Sequence, residues 1–274
     1  MLSIFSLIKW KMRLGVDFTG GAVINYSFSK VTDSALISDT FKKVGIEDTS
    51  ISSSDQKHFT IKTDALTVDT KNKIDEELKN VDSEIQELRY EVVGPAIGPE
   101  LIQKTVYALL ISASLILFWV AYQFKNLKYG LAATLATIHD SLVLLGSFSL
   151  LGHFLGVEID FIFVTAVLTI LSFSVHDTIV VFDRIREVKK KTYGDISEIS
   201  DTAITQTMTR SINNSFTIIF MLVALVLLGG ETTKWFAVAL LIGTISGTYS
   251  SPFVAVPLLV IFDKGNLRFK LKKN

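Results

Sequence analysis

The sequence predicts a polytopic α-helical membrane protein with five full spans, a truncated first span and a small α+β ferredoxin-like extracytoplasmic domain. Hydrophobic residues make up 49% of the 274 residues, and the mean hydropathy is +0.43. Charged residues make up only 20%, which is low for a soluble domain. They are also unevenly spread, with 16 acidic and 10 basic residues in 14–104 but 11 acidic and 14 basic residues in 105–274. The absence of cysteine excludes disulfides and thiolate sites.

Residues 1–13 form the first predicted segment. Positions 1–8 are largely apolar but too short to cross a bilayer, and the bases Lys9, Lys11 and Arg13 follow at once. A secretory signal would carry its charges on the other side of the apolar stretch. The segment is therefore interpreted as a remnant of a first transmembrane span or as an interfacial helix.

Residues 14–104 are predicted to fold as a separate domain. Alternating apolar residues indicate strands, and a helical apolar stripe indicates helices. The strands are expected at 21–28, 49–53, 58–63 and 85–93, and the helices at 32–44 and 68–81. The resulting order β-α-β-β-α-β is that of the ferredoxin-like fold. Its one histidine, His58, has no catalytic partner nearby in sequence, so a binding or mechanical role is favoured over catalysis.

Residues 105–262 are predicted to form the transmembrane bundle, because stretches of about 20 residues without charge are long enough to cross the hydrocarbon layer. The spans are expected at about 105–122, 129–152, 160–182, 211–230 and 235–262. Two of them are interrupted by a His-Asp pair, His139–Asp140 in the second and His176–Asp177 in the third. The last contains Gly243 and Gly247, whose spacing permits close helix packing, and two prolines that can kink it.

The loops give the orientation. Lys and Arg are concentrated in residues 123–128, 183–209 and the tail 263–274, whereas 153–159 contains none. This alternation is the positive-inside pattern, which places the basic segments in the cytoplasm and the acidic domain outside a cell membrane. The basic tail 263–274 either pairs with anionic lipid of the inner leaflet or serves only as an orientation signal.

Ionisable residues inside the spans are the main functional candidates, because a charge at the bilayer centre costs about 2.5–3.5 kcal/mol. Asp177 lies just inside the cytoplasmic end of its span, and Arg210 opens the next span from the same side. An ion pair between them would lower the cost of both. It could act as a proton-sensitive switch or only orient two helices, and the residues alone favour neither.

Other chemistry finds less support in the sequence. His139, Asp140, His176 and Asp177 could be proposed as metal ligands, but their spacing matches no familiar metal motif. Asp140 and Asp177 could be proposed as an intramembrane aspartyl protease pair, yet nothing else in the chain supports that.

Several motifs together resemble the SecD/SecF family of protein-export membrane proteins. The most specific is HDTIVVFDRIRE at 176–187. The others are GVDFTGG at 15–21, VGPAIGPEL at 93–101, TRSINNS at 209–215, GGET at 229–232, GTYSSPF at 247–253 and Pro257-Leu258. They occur in order over nearly the whole chain.

The resemblance implies six spans in a membrane fold like that of RND transporters. It further implies an accessory, non-enzymatic role with SecD and the Sec translocation channel, in which the proton motive force helps to draw unfolded preproteins outward. No cofactor beyond the coupling ion, expected to be H⁺, and no nucleic acid are implied. In the family, an Asp and an Arg at the positions of Asp177 and Arg210 are associated with proton conduction.

The candidate relay therefore comprises Asp177 and Arg210 together with His176, Asp140 and His139. The supporting polar residues are expected to be Thr178, Asn213, Asn214, Asp183 and Arg184. The chain departs from the family pattern at His176, where Asn is usual, at Asn214, where Thr is common, and in its nearly missing first span. A histidine can titrate near neutral pH, so His176 either joins the relay or replaces the hydrogen bond of the amide.

Two further function classes fit the sequence less well. An RND-type small-molecule transporter is the main alternative, but a self-sufficient one would need a second membrane half and two large outer domains. An intramembrane hydrolase would need a nucleophile and a base, which the sequence does not offer. SecD itself would need a much larger outer region than residues 14–104.

Overall fold

The computed structural model describes residues 2–47, 49–53, 55–94 and 97–271, and only the backbone of 231–232 and 266–271. The last three residues of the predicted tail, 272–274, and Pro95 and Ala96 of the 93–101 motif lie outside the described residues. In chain order the elements are α1 (Leu2–Trp10), α2 (Val16–Thr19), β1 (Gly21–Ser27), α3 (Ser34–Lys43), β2 (Thr49–Ser53), β3 (His58–Thr63), α4 (Val68–Val81), β4 (Gln86–Val93), α5 (Ile97–Phe124), α6 (Leu127–Leu155), α7 (Phe161–Lys191), α8 (Ile196–Leu228), α9 (Glu231–Ser250), a π-helix (Ser251–Ala255) and α10 (Val256–Leu271).

The chain divides into two compact units. One comprises Met1–Arg13 with Val106–Asn274, and the other is Leu14–Thr105. The first unit is helical, and the second contains the sheet.

The Leu14–Thr105 unit is built on a four-stranded sheet of order β2-β3-β1-β4, in which each neighbouring pair is antiparallel. Side chains alternate between the two faces of a strand, so Ile24 and Tyr26 of β1 point to the same face. There they join Phe41 of α3 and Leu78 of α4 in a buried core. Helix α3 starts after a capping residue, Asp33, whose side chain accepts a hydrogen bond from the Ala35 amide at 3.1 Å.

Long apolar helices make up most of the helical unit, and the first of them begins at Ile97 in the other unit. Within the described residues, five helical segments are long and apolar enough to span a membrane, which equals the predicted number of spans. They are Ile97–Phe124, Leu127–Leu155, Phe161–Lys191, Ile196–Leu228 and Thr233–Gly265. The fifth segment runs through α9, the π-helix and α10. Helix α9 packs against α6, α7 and α8, and α7 packs against α6 and α8. In the apolar 18-residue stretch of α5 only 6% is buried, and in that of α8 only 11%. Most of the surface of these two helices therefore has no partner in the described chain.

Three helices extend beyond the uncharged stretches that predict them. Helix α5 begins at Ile97, α7 continues to Lys191, and α8 begins at Ile196. Absence of charge marks only the part of a helix that crosses hydrocarbon, whereas the hydrogen-bonded helix continues into water. The extension of α7 carries ion pairs one turn apart, such as Asp183–Arg186 at 3.0 Å.

The short helix α1 packs along α6. Ser6 Oγ donates to the Gly146 carbonyl at 3.0 Å, and Ser149 Oγ donates to the Ser6 carbonyl at 2.9 Å. A Cβ on Gly146 would lie 2.4 Å from Cα of Ser3, so this close approach requires glycine. The Trp10 ring stacks on His153 with centroids 4.6 Å apart.

The basic segments meet at the opposite end of the bundle. Asp263 of α10 bonds Lys128 of α6 at 2.9 Å and lies 3.8 Å from Lys189 of α7. Lys264 pairs with Asp195, just before α8, at 2.9 Å. The residues near 128, 189–195 and 263–264 therefore share one end of the unit.

Candidate functional site

A cavity of about 360 Å³ with several polar side chains in its lining lies between α7, α8 and α9 in the helical unit. His176 and Asp177 of α7 and Asn214 of α8 line it, and Gly243 and Gly247 of α9 leave room for it. The remaining lining residues are Ser172, Phe173, Ser174, Ser215, Ile218, Thr244 and Thr248. The cavity therefore combines two titratable groups with many hydroxyls inside a membrane-crossing bundle.

Helical periodicity explains why these side chains meet. On α7, Ser172, Phe173, His176 and Asp177 recur at spacings of three to four residues, which puts them on one face. The Thr248 hydroxyl of α9 donates to the Ser215 hydroxyl of α8 at 2.6 Å, which closes one side of the cavity. Asp177 is partly buried and His176 is exposed.

Arg210 stands apart from this cavity. Its side chain is exposed, and the described residues contain no ion pair between Arg210 and Asp177. The polar stripe expected on α8 divides: Asn213, Asn214 and Thr217 are all exposed, but of the three only Asn214 also lines the cavity. The structure thus brings Asp177 and Asn214 together but leaves Arg210 without the anticipated partner in the described chain.

Asp140 occupies a second, fully buried position near the middle of α6. Three serine hydroxyls from two other helices donate to its carboxylate. They are Ser174 of α7 at 2.6 Å, Ser246 of α9 at 2.7 Å and Ser250 of α9 at 2.6 Å. The His139 Nδ1 atom lies 3.1 Å from the same group, and its side chain is 40% exposed. These hydrogen bonds offset the cost of burying the carboxylate.

The supporting residues lie in different places. Thr178 is buried and bonds the Ser251 hydroxyl of the π-helix at 3.0 Å, so it links α7 to the end of α9 and does not face the cavity. Asp183 pairs with Arg186, and Arg184 pairs with Glu187 and donates to Gln206 of α8 at 2.7 Å. Asp183 and Arg184 therefore belong to a surface network on the helix extensions.

Sequence reasoning missed Ser246, Ser250 and Ser251. A serine in a membrane helix commonly bonds its own backbone, so nothing marks these hydroxyls until α9 is placed against Asp140. The spacing of Ser246 and Ser250, four residues apart on one face, was the available signal. No group of three or more His, Asp or Glu side chains in the described part of the chain is placed to hold a metal ion.

The fold and the site define a class of protein. It is a polytopic membrane protein with a small sheet domain and with ionisable residues around a cavity among its spans. Residues 73–265 match the family described as "Protein export membrane protein SecD/SecF, C-terminal". The chain belongs to the SecD/SecF family.

Its relatives are protein translocase subunits named SecF. The subunit from Thermobaculum terrenum is 39% identical, over 94% of this chain and 86% of that one. The subunit from Haemophilus influenzae is 37% identical, over 97% and 81% of the two chains. That from Anaerolinea thermophila is 34% identical, over 96% and 88%. All three names describe subunits of a translocase.

Two solved structures are similar to this one. The crystal structure of SecDF from Thermus thermophilus, described as a translocon-associated membrane protein, superposes with a TM-score of 0.83 at 32% identity. SecDF in its super-membrane-facing form gives 0.71 at 30% identity. The matches cover 96% and 100% of this chain but only 36% and 38% of those chains, so this chain spans little more than a third of their length.

Proposed function

We propose that this chain is an accessory subunit of the Sec export machinery of the cell membrane, which works with SecD and uses the proton motive force to promote preprotein translocation. The observation that carries the proposal is the cavity among α7, α8 and α9, which holds Asp177 and His176. Ionisable residues inside a membrane are costly, and for that reason they commonly mark ion or proton pathways. The names of the translocase relatives support the export pathway.

In this proposal Asp177 binds and releases the coupling proton at the cavity, and His176, Asp140 and His139 are further candidates for the relay. The cavity provides room for water beside Asp177, which a proton path needs. An RND-type small-molecule transporter is not favoured, since the relatives are translocase subunits.

The proposed orientation places the basic end of the bundle in the cytoplasm. Ion pairs at Asp263 and Asp195 gather Lys128, Lys189 and Lys264 at one end, which supports this assignment. Residues 14–104 then lie outside as a ferredoxin-like domain that meets the unfolded preprotein. The order of its elements and the sheet order β2-β3-β1-β4 support that fold.

SecD is the proposed partner for the open face of α8. Arg210, Asn213 and Thr217 are exposed on a helix that is long and apolar enough to cross the membrane. Polar groups facing lipid are unfavourable, so another protein is expected to cover them. The two SecDF chains are nearly three times as long as the part that matches this chain. Their additional length is consistent with a SecD portion next to the part that corresponds to this chain. A SecD carboxylate is then the expected counter-ion for Arg210.

The test replaces Asp177 with Asn in a complex with SecD and the channel, reconstituted into vesicles. Asparagine keeps the shape of the side chain but cannot bind a proton. We expect Asp177→Asn to lower the gradient-dependent part of preprotein translocation by roughly tenfold or more. The measurement is the amount of preprotein protected inside the vesicles with and without a proton gradient.

Asp201→Asn is the matched control, because it makes the same chemical change outside the proposed relay. Asp201 is exposed on the part of α8 that precedes the uncharged stretch 211–230. If Asp177→Asn behaved like Asp201→Asn, with gradient-driven translocation intact in both, the proposed proton coupling through Asp177 would be wrong.

A further inference from the structure

The cluster around Asp140 has a feature that the cavity alone does not reveal. Asp140 is fully buried and accepts hydroxyls from Ser174, Ser246 and Ser250. Of these three serines, only Ser174 also lines the cavity that holds Asp177. Ser174 therefore connects the Asp140 carboxylate with the lining of the cavity.

The hydroxyls also suit a protonated carboxyl group. A protonated Asp140 needs an acceptor for its own O–H. Ser250 can supply one, because its hydroxyl lies 2.6 Å from Oδ2 of Asp140 and 3.3 Å from the Gly247 carbonyl. When Ser250 turns its proton toward Gly247, its oxygen is free to accept from Asp140. The cluster thus satisfies both charge states without leaving a buried donor unpaired.

We propose that Asp140 is a buried proton-binding site loaded from the cavity through the Ser174 hydroxyl. This inference rests on the proposed function of the cavity. In the transfer step, Ser174 Oγ gains a proton from a hydronium ion in the cavity while its own hydroxyl proton passes to Oδ2 of Asp140. The serine is unchanged, a water molecule remains in the cavity, and the carboxylate becomes a carboxylic acid.

Few charged groups compete for this proton. The groups that face Asp140 from α7 and α9 are the three hydroxyls, and His139 on its own helix is the titratable contact. His176 and Asp177 line the cavity, as Ser174 does, and do not contact Asp140 in the described residues. The partly exposed His139 is placed to receive the proton at Oδ1, whereas Ser174 contacts Oδ2.

The experiment follows the carboxylic acid of Asp140 directly. The chain is reconstituted with SecD, and infrared difference spectra are recorded after a rapid acidification. A C=O band that is lost in Asp140→Asn reports protonation of this residue. We expect Ser174→Ala to slow the appearance of the band roughly tenfold or more, since it removes the bridging hydroxyl.

Ser246→Ala is the matched comparison. It also removes one hydroxyl from Asp140, but Ser246 does not line the cavity. The band should appear much faster in Ser246→Ala than in Ser174→Ala. Ser147→Ala removes a hydroxyl that bonds only within α6, to the Val143 carbonyl, and controls for general effects.

Two results would overturn the proposal. Equal slowing in Ser174→Ala and Ser246→Ala would mean that the hydroxyls only stabilise the buried group. A wild-type protein without the Asp140 band would mean that this residue never takes up the proton. Neither result affects Asp177, whose own translocation test decides the proposed function separately.

Discussion

At the scale of single residues, Lys71 of α4 is a buried cation in the sheet unit, with 6% of its surface exposed. Its ammonium pairs with Asp75 and Glu87, and it lies 5.5 Å and 5.1 Å from the ring centroids of Tyr26 and Tyr90. The Tyr26 hydroxyl donates to Asp75 at 2.6 Å. Burial, and secondly this hydrogen bond, raise the pKa of Tyr26 above its usual range. Lys71 thus joins α4 to the edge strand β4.

Replacing Lys71 with Met should destabilise this unit. The change leaves Asp75 and Glu87 as neighbouring carboxylates without their shared cation, which costs about 2 kcal/mol or more. Hydrogen exchange of the α4 and β4 amides in the full chain measures the loss as a lower free energy of local opening.

Lys104→Met is the comparison variant. Lys104 pairs with Glu100, but the two side chains are 71% and 61% exposed. Removing this surface pair should therefore change the free energy of local opening by less than about 1 kcal/mol. Equal effects at positions 71 and 104 would show that the buried cluster adds no stability.

The residues of the membrane site illustrate what sequence can and cannot predict. The placement of Asp140 and Asp177 within long apolar helices could be predicted, because a carboxylate in an apolar stretch is conspicuous and costly. Their surroundings were not, since the Asp140 cluster depends on hydroxyls from α7 and α9 that are 34 to 110 residues away in sequence. The Asp177–Arg210 ion pair is expected from the similar depth of the two residues in the membrane, but it is absent from the described residues. Depth does not determine toward which neighbour a side chain on a helix points.

At the scale of elements, α9 and the following π-helix place Ser246 and Ser250 against Asp140. Gly243 packs against Ile170 of α7, and Gly247 packs against Ser174. Pro252 lacks an N–H and cannot continue an α-helical ladder. In the π-helix, the Val256 amide bonds the Ser251 carbonyl five residues back. The small-residue spacing predicted the close packing, and the prolines predicted a possible kink, but not that the irregularity is a π turn.

Gly243→Ala should disturb the packing of α7 on α9. The added Cβ would lie 2.2 Å from Cδ1 and 2.3 Å from Cγ1 of Ile170, so the whole side chain must move. Overpacking of this kind costs about 1–3 kcal/mol. The thermal unfolding midpoint of the purified protein in detergent should fall.

Gly230→Ala is the matched control, because a Cβ at Gly230 meets nothing within 4 Å. Its midpoint should stay close to that of the wild type. If both variants unfolded at the wild-type temperature, the contact between Gly243 and Ile170 would be looser than the structure describes.

The secondary structure of the sheet unit was largely predictable. Strands β2 and β3 begin and end where alternation of apolar residues predicts them, at Thr49–Ser53 and His58–Thr63. The short helix α2 was missed, because four residues are too few to show a periodicity. For α7 and α8 the spans were found, but their extensions to Lys191 and from Ile196 were not, since the charged residues there hide a continuous helix.

At the scale of the whole molecule, α5 and α8 present broad apolar surfaces that nothing in the described chain covers. Phe118 and Trp119 of α5 are 68% and 59% exposed, and Phe220 of α8 is 69% exposed. Lipid can cover such side chains, but it does not suit Arg210 and Asn213. The polar stripe is therefore the reason that α8, and not α5, is the proposed contact for SecD.

A photo-crosslinking residue at position 213 should label SecD in the membrane. The matched control is position 135 on α6, where Leu135 is 42% exposed on an apolar face, and there we expect lipid labelling. Mass analysis of the labelled products measures both outcomes. Labelling of lipid alone at position 213 would contradict SecD as the cover of α8.

The contact between α1 and α6 can be followed by the intrinsic fluorescence of a tryptophan. Trp10 is stacked almost parallel to His153, with 9° between the rings, and it is one of only three tryptophans. Replacing Trp119 and Trp235 with Phe would leave emission from this ring alone. Fluorescence of the purified protein would then report whether the first helix stays packed on α6, without any attached dye.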